Sequence, residues 1–185
     1  MDGARASGED LVSARCTLIL RPLTAADEVP MRRMQAELAA EGFDLLPEGH
    51  TWAEVMGRAE REASGVDLEP GRVRADFLVA EVGRDVVGRA SVRYALTDWL
   101  HHYGGHIGYA VAPAHRLKGY AGEMLRQSLQ RLAAAGVDRA LVTCDEGNVG
   151  SARVIEGAGG VLENVVDVGG GLMRRRYWID VFTHA

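Results

Sequence analysis

Residues 105–122 read GHIGYAVAPAHRLKGYAG, and their reading decides the fold. Gly105 to Val111 is a β-rich run, stopped by Pro113. Arg116-Leu117-Lys118-Gly119-Tyr120-Ala121 is a turn that leads straight into a helix. From Ala121 to Ala135 the apolar residues Met124, Leu125, Leu129 and Leu132 form one stripe, and Gly136 closes the segment. Gly119, Ala121 and Gly122 are small enough for a bound group to approach the backbone. The first amides of a helix have no partner within it and sit at its positive end. A strand, a small-residue turn and a helix start therefore predict an anion site of the kind that holds a diphosphate. Arg116 and Lys118 flank it with positive charge, and Lys118 is the only lysine in the chain.

Working outward, Cys16 to Arg21 reads as a strand ended by Pro22. Thr24 reads as an N-cap before a helix to about Ala40, with Met31, Met34 and Leu38 on one face. Thr51 and Glu54 form a T-x-x-E box opening a second helix from Trp52 to about Ala63. Phe77 to Val82 and Val86 to Leu96 are strands joined by a hairpin at Gly83-Arg84-Asp85. Beyond the central helix, Ala140 to Cys144 is a short buried strand and Asn148 to Ala158 a short helix. Val161 to Val168 and Met173 to Val181 are two late strands. The predicted class is α/β of the α+β type, a mixed, mostly antiparallel sheet flanked by helices, in the order β-α-α-β-β-β-α-β-α-β-β.

The chain has 185 residues and a mass of 20.0 kDa, enough for one core without staples. Residues 1–15 are expected to be a flexible leader and 16–185 a single domain. With 47% apolar and 25% charged residues, disorder is excluded for most of the length. The net charge of -5 argues against nucleic-acid binding and favours a cationic acceptor. No run is apolar and long enough to cross a bilayer, and no signal peptide is read. Two cysteines make no disulfide scaffold, so a cytoplasmic home is expected, with no metal.

The segment resembles the GNAT N-acetyltransferase superfamily. Arg116 to Ala121 matches its [QR]-x-x-G-x-[GA] signature, and Gly108-Tyr109-Ala110-Val111-Ala112-Pro113 matches its central strand. Asn148-Val149-Gly150-Ser151 matches its N-x-x-S region, and the order of elements agrees. The resemblance implies acetyl-coenzyme A as co-substrate, with its arm in a gap between the strands at Ile107 to Val111 and Ala140 to Cys144. It implies cofactor contacts from Tyr109, Ala110, Val111, Arg116, Leu117, Lys118, Gly119, Tyr120, Ala121, Gly122, Asn148 and Ser151. A backbone amide near Ala110 or Val111 would polarise the thioester. A homodimer is expected by family analogy only.

The family often places a tyrosine acid seven residues after the Asn, where this chain has Ile155. A thiol with a pKa of about 8.5 leaves without full protonation, and Tyr109 or Tyr120 offers another acid. An alkylamine acceptor needs a base, and His106 and Glu81 are the candidates, with Asn148 beside them in the catalytic set. Trp52, Trp99, Phe43 and Asp44 are candidate pocket walls. Arg174-Arg175-Arg176 reads as a solvated strand end. The implied function is transfer of acetyl to a primary amine by direct attack in a ternary complex. The rival readings are a non-catalytic acyl-coenzyme A sensor and a plain nucleotide-binding domain.

Overall fold

The computed structural model describes residues 17–184. The expected leader and Cys16 lie outside the described residues. Seven strands form one sheet in the order β1-β2-β3-β4-β5-β7-β6. They are β1 (Leu18–Pro22), β2 (Ala75–Val82), β3 (Asp85–Arg93), β4 (Ile107–Val111), β5 (Arg139–Asp145), β6 (Val161–Asp167) and β7 (Met173–Asp180). Four α-helices flank it: α1 (Glu28–Ala39), α2 (Trp52–Ser64), α3 (Tyr120–Ala134) and α4 (Val149–Gly157). Every pairing is antiparallel except β4 with β5. The element order is the one the sequence predicts.

Two cores lie on the two faces of the sheet. On one face Met124, Leu125, Leu129 and Leu132 of α3 pack with Val87, Ile107, Val142, Ile155, Tyr177 and Ile179. On the other, Met31, Met34 and Leu38 of α1 meet Leu45, Leu46, Trp52, Val55, Val79 and Ala110. The stripe on α3 and the alternation on the strands explain this division.

Local chemistry sets the element ends. The Asp27 carboxylate accepts from the backbone N–H and hydroxyl of Thr24, at 2.7 and 2.9 Å. That contact winds Ala25–Asp27 as a 3₁₀ turn, so the α-helix starts at Glu28, later than the Thr24 cap suggested. The expected Thr51–Glu54 box is present on α2. Strand β3 ends at Arg93, short of Leu96. It stops where its partner β2 begins, Ala75 opposite Arg93, with one more backbone bond from Tyr94 N–H to Arg74 O at 3.0 Å, and the Tyr94 hydroxyl bonds Asp76 Oδ2 at 2.7 Å. A π-helical turn, Leu100–Gly104, fills the connection to β4 and has no counterpart in the sequence reading.

Candidate active site

The site begins where the sheet comes apart. β4 and β5 share one paired position, Ile107 with Val142, and His106 N–H donates to Leu141 O at 2.7 Å just before it. Beyond that point the strands diverge toward Val111 and Asp145. On the other edge β4 stays paired with β3 from Val92–Ile107 to Gly88–Val111. Ala112 N–H donates to Val87 O at 2.9 Å and Arg93 N–H to His106 O at 2.7 Å. Antiparallel alternation then points the Gly108 and Ala110 amides toward β3 and the Tyr109 and Val111 amides into the gap. Gly88 makes this ladder close, since a Cβ there would stand 2.6 Å from Ala110 O.

A cavity of about 470 Å³ occupies the gap. Its lining includes Tyr109, Ala110, Val111, Arg116, Leu117, Gly119, Tyr120, Ala121, Gly122, Asn148 and Ser151. Of the expected cofactor contacts only Lys118 is missing from the wall, its Nζ donating instead to Ala114 O at 3.2 Å. The turn before α3 is left-handed at Leu117 (φ 60°) and Gly119 (φ 82°). Glu123 N–H to Gly119 O, 3.2 Å, is the first bond of the helix, which leaves the Tyr120, Ala121 and Gly122 amides without partners along it. A Cβ at Gly119 or Gly122 would meet nothing within 4 Å, so the cradle is open. A free row of strand amides and a helix N-terminus on one wall fit a thioester arm followed by a diphosphate.

The side chains add chemistry. Tyr109 Oη and Ser151 Oγ lie 2.8 Å apart, and burial pushes the phenol up to about 12 against the opposing effect of that bond. Asn148 Oδ1 caps α4 by accepting Ser151 N–H at 3.0 Å. Ile155 is fully buried in the α3-side core and presents no polar group to the cavity. Cys144 is buried, and burial raises its thiol above the ordinary value.

The two candidate bases stand elsewhere. His106 is 7% exposed, off the cavity wall, with Nδ1 accepting Leu141 N–H at 2.9 Å. Burial, then the charges of Arg93 and His101, lower its pKa to about 4. Its neutral ring therefore carries its proton on Nε2. Glu81 accepts from Arg21 Nε at 2.7 Å, beside the Arg21–Asp27 pair, and is also off the wall. Of the suggested pocket walls Phe43 lines the cavity, Trp52 is in the α1/α2 core, and Trp99 and Asp44 are exposed elsewhere. Arg174 and Arg176 pair with Asp145 and Glu163, at 2.7 and 3.0 Å.

Sequence reasoning missed Glu41. It lines the cavity and grips Arg116 through two bonds of 3.0 and 2.6 Å. The Arg116 bond holds the Glu41 carboxyl below its ordinary range. This pair ties the end of α1 to the turn before α3 and takes up much of the charge that Arg116 was expected to offer. A contact across that much chain leaves no local signal.

Together the splayed strands, open amides and cradle have the form that a coenzyme A-dependent acyl-transfer site requires. Residues 17–161 match the acetyltransferase (GNAT) domain family, and the chain belongs to that family as an acetyl-CoA-dependent N-acetyltransferase. Its fold is similar to that of Mycobacterium smegmatis RimJ, solved with CoA-disulfide, at TM-score 0.69 and 18% identity, covering 90% of this chain and 83% of that one. A putative acetyltransferase from Salmonella typhimurium, yncA, solved with acetyl-CoA, gives TM-score 0.61 and 17% identity over 89% and 94%. A Vibrio cholerae spermidine N-acetyltransferase chimera with hSSAT gives 0.62 and 15% over 90% and 97%. At these identities the likeness is one of fold. No curated protein matches the sequence. Among the described residues no three His, Cys, Asp or Glu side chains gather as a metal site, and no helix is long and apolar enough to cross a membrane.

Proposed function

We propose that the enzyme moves acetyl from acetyl-coenzyme A to a primary amine by direct attack in a ternary complex. The observation that carries this reading is the convergence of the unclaimed Tyr109 and Val111 amides and the α3 N-terminus on one cavity. When bound, acetyl-CoA supplies the acetyl group as a thioester. Residues Leu117 to Gly122 hold the diphosphate, chiefly through backbone N–H groups, and Asn148 and Ser151 flank the arm. The Val111 amide polarises the carbonyl, which refines the Ala110-or-Val111 expectation, since Ala110 N–H faces β3. The amine nitrogen bonds to the acetyl carbon, the C–S bond breaks, and the nitrogen gives up its surplus proton. The Tyr109 hydroxyl, on the cavity wall and 2.8 Å from Ser151 Oγ, is the acid assigned to the leaving sulfur. Base work by His106 or Glu81 requires intervening water, because both stand off the wall.

The test is coenzyme A release over a broad amine panel, with intact-mass measurement of the enzyme after acetyl-CoA alone. Thiol release that needs the amine, with no acetyl-enzyme, supports direct attack. An acetylated enzyme refutes it. Tyr109→Phe should lower kcat more than it changes KM. The buried Ile155 at the family's acid position favours one second reading, a non-catalytic sensor. That reading gains if coenzyme A stabilises the fold while no amine releases thiol.

A further inference from the structure

The α1/α2 face of the sheet carries two arginines with no carboxylate partner. Arg89 and Arg93 stand on β3, four residues apart, so both project from the same face. Arg89 lies opposite Ala110 in the ladder, and its guanidinium packs 4.9 Å over Phe77. Among the described residues its only hydrogen bond is a long one, Nη2 to Leu45 O at 3.4 Å, and its buried Nε has no partner. Arg93 Nη1 reaches only the carbonyls of Gly105 and Gly104, at 3.1 and 3.5 Å. Among the described residues, Arg21, Arg131, Arg174 and Arg176 each hold an acid within 4.0 Å, whereas Arg89 and Arg93 hold none. Glu62 on α2 is the one carboxylate whose field reaches Arg93, and it is engaged by Arg58 at 3.1 Å and Arg72 at 3.8 Å.

The two guanidiniums converge. A Cβ built on Gly108 would stand 3.9 Å from Arg93 Nη1 and 4.0 Å from Arg89 Nη1. β4 therefore offers bare backbone where both cations point. Burying an uncompensated cation costs several kcal/mol, and each orphaned buried donor calls for a partner. Two planar donors facing one spot match a carboxylate or phosphate. Gly108 is two residues before Ala110 on the same strand face, about 6–7 Å along β4, and Ala110 lines the acetyl-transfer cavity. Apart from Glu62, shared between Arg58 and Arg72, the titratable groups beside the pair add no negative charge: His106 is neutral, and His101 lies beyond it.

We infer that the amine acceptor carries an anionic group, a carboxylate or phosphate, bound between Arg89 and Arg93 over Gly108 while its amine faces the cavity. This deepens the acetyl-transfer reading and rests on it. It also reverses the acceptor charge that the net charge of -5 suggested, because the field at this spot is set by two local cations.

The experiment compares coenzyme A release for matched amines. The pairs are β-alanine with β-alaninamide, O-phosphoethanolamine with ethanolamine, and a peptide beginning with Glu with the same peptide beginning with Gln. In at least one pair the anionic member should have kcat/KM higher by about tenfold or more, mostly through KM. The pair that responds identifies the source of the charge. Arg89→Gln with Arg93→Gln should bring that ratio close to one, and Arg89→Lys with Arg93→Lys should restore part of it. Equal or reversed preference in all three pairs for the wild-type enzyme overturns the inference, whether or not the variants fold. If no amine releases thiol, the transfer reading fails by itself and the anion site is read by heat. Inorganic phosphate or succinate, at constant ionic strength, should then raise the wild-type Tm and leave the double Gln variant unmoved. Equal shifts in both, or none in either, overturn the anion site.

Discussion

His106 gives a prediction whose sign and size follow from its surroundings. The folded ring titrates near 4 instead of 6.5, because it is buried and because Arg93 and His101 oppose a further positive charge. Between those two values the unfolded chain binds a proton that the folded chain refuses. Stability must then rise with pH across that window. The contribution is fully present above about pH 6.5 and is lost as the pH falls toward 4. Each tenfold difference in proton affinity between the folded and unfolded chain is worth about 1.36 kcal/mol, so the loss reaches a ceiling of about 3 kcal/mol. The perturbation is His106→Asn. The amide Oδ1 stands close to the position of Nδ1 and can still accept Leu141 N–H, but it does not titrate. Urea unfolding of both proteins from pH 7.5 to pH 4 gives the difference curve. Lost packing against Trp178 appears as a constant offset, and shared acids such as Asp27 and Glu123 cancel. The wild type should lose up to about 3 kcal/mol more than the variant over that range. Parallel curves would refute the buried neutral imidazole. The same variant bears on catalysis: if His106 is the base, the acid limb of the pH–rate profile moves with the substitution, and if a water chain bypasses it, the limb stays.

Ala121→Leu adds bulk at the cradle while keeping a good helix former in the first turn of α3. Unliganded stability should change by no more than about 0.5 kcal/mol, and coenzyme A affinity by calorimetry should fall at least about tenfold. Unchanged affinity would move the diphosphate elsewhere. Asp27→Asn strips charge from a carboxylate that is 2% exposed and accepts from Arg21 and Thr24. A cost of about 3 kcal/mol is expected from denaturant midpoints, with weaker acid sensitivity, since burial raises the Asp27 pKa but its bonds to Arg21 and Thr24 outweigh that and leave it lowered. Ile155→Tyr should destabilise by about 1–3 kcal/mol through overpacking without raising kcat, since Ile155 is fully buried and crowds Gly160. A faster enzyme would show that the position still reaches the sulfur.

What the sequence made legible is what short-range pattern encodes. The α3 stripe, the Thr51–Glu54 box and the small residues at Gly119 to Gly122 each sit within a few positions of one another, and each is present in the fold. The early end of β3 was not legible. Val92, Arg93 and Tyr94 are all acceptable strand residues, and what ends the strand is the start of its partner, β2, at Ala75 opposite Arg93. The π-helical turn at Leu100–Gly104 was hidden for a similar reason, since its place depends on the β4 entry at Gly105. There φ is +69°, and any Cβ would stand 2.6 Å from Leu141 O. Within the site, the backbone-lined half could be read from the turn itself. The Glu41–Arg116 pair and the Arg89–Arg93–Gly108 cluster could not, because they join segments far apart in the chain.

Charge shows why the two halves differ. Whole-chain charge is a property of the sequence, whereas binding responds to the field at one place. In the cradle that field comes from unpaired amides at the start of α3, so Lys118 can sit in the signature turn and still direct its ammonium to Ala114 O, away from the cavity. Arg116 is likewise spoken for by Glu41. On the opposite face the excess of acids over bases counts for little, because Glu62 is taken up by Arg58 and Arg72 and leaves Arg89 and Arg93 unanswered. A net-negative enzyme thus has two electropositive stations at the two ends of β4: the α3 N-terminal amides beyond Val111, proposed for the phosphates, and the β3 guanidiniums over Gly108, proposed for the acceptor. Salt should discriminate between them. The backbone-held station relies on directed N–H groups, so its affinity should depend less on ionic strength than the guanidinium-held one. Coenzyme A and anionic-acceptor binding, titrated separately from low to high salt, should diverge in slope. Equal slopes would show that side-chain charge, and not the helix amides, dominates the cradle.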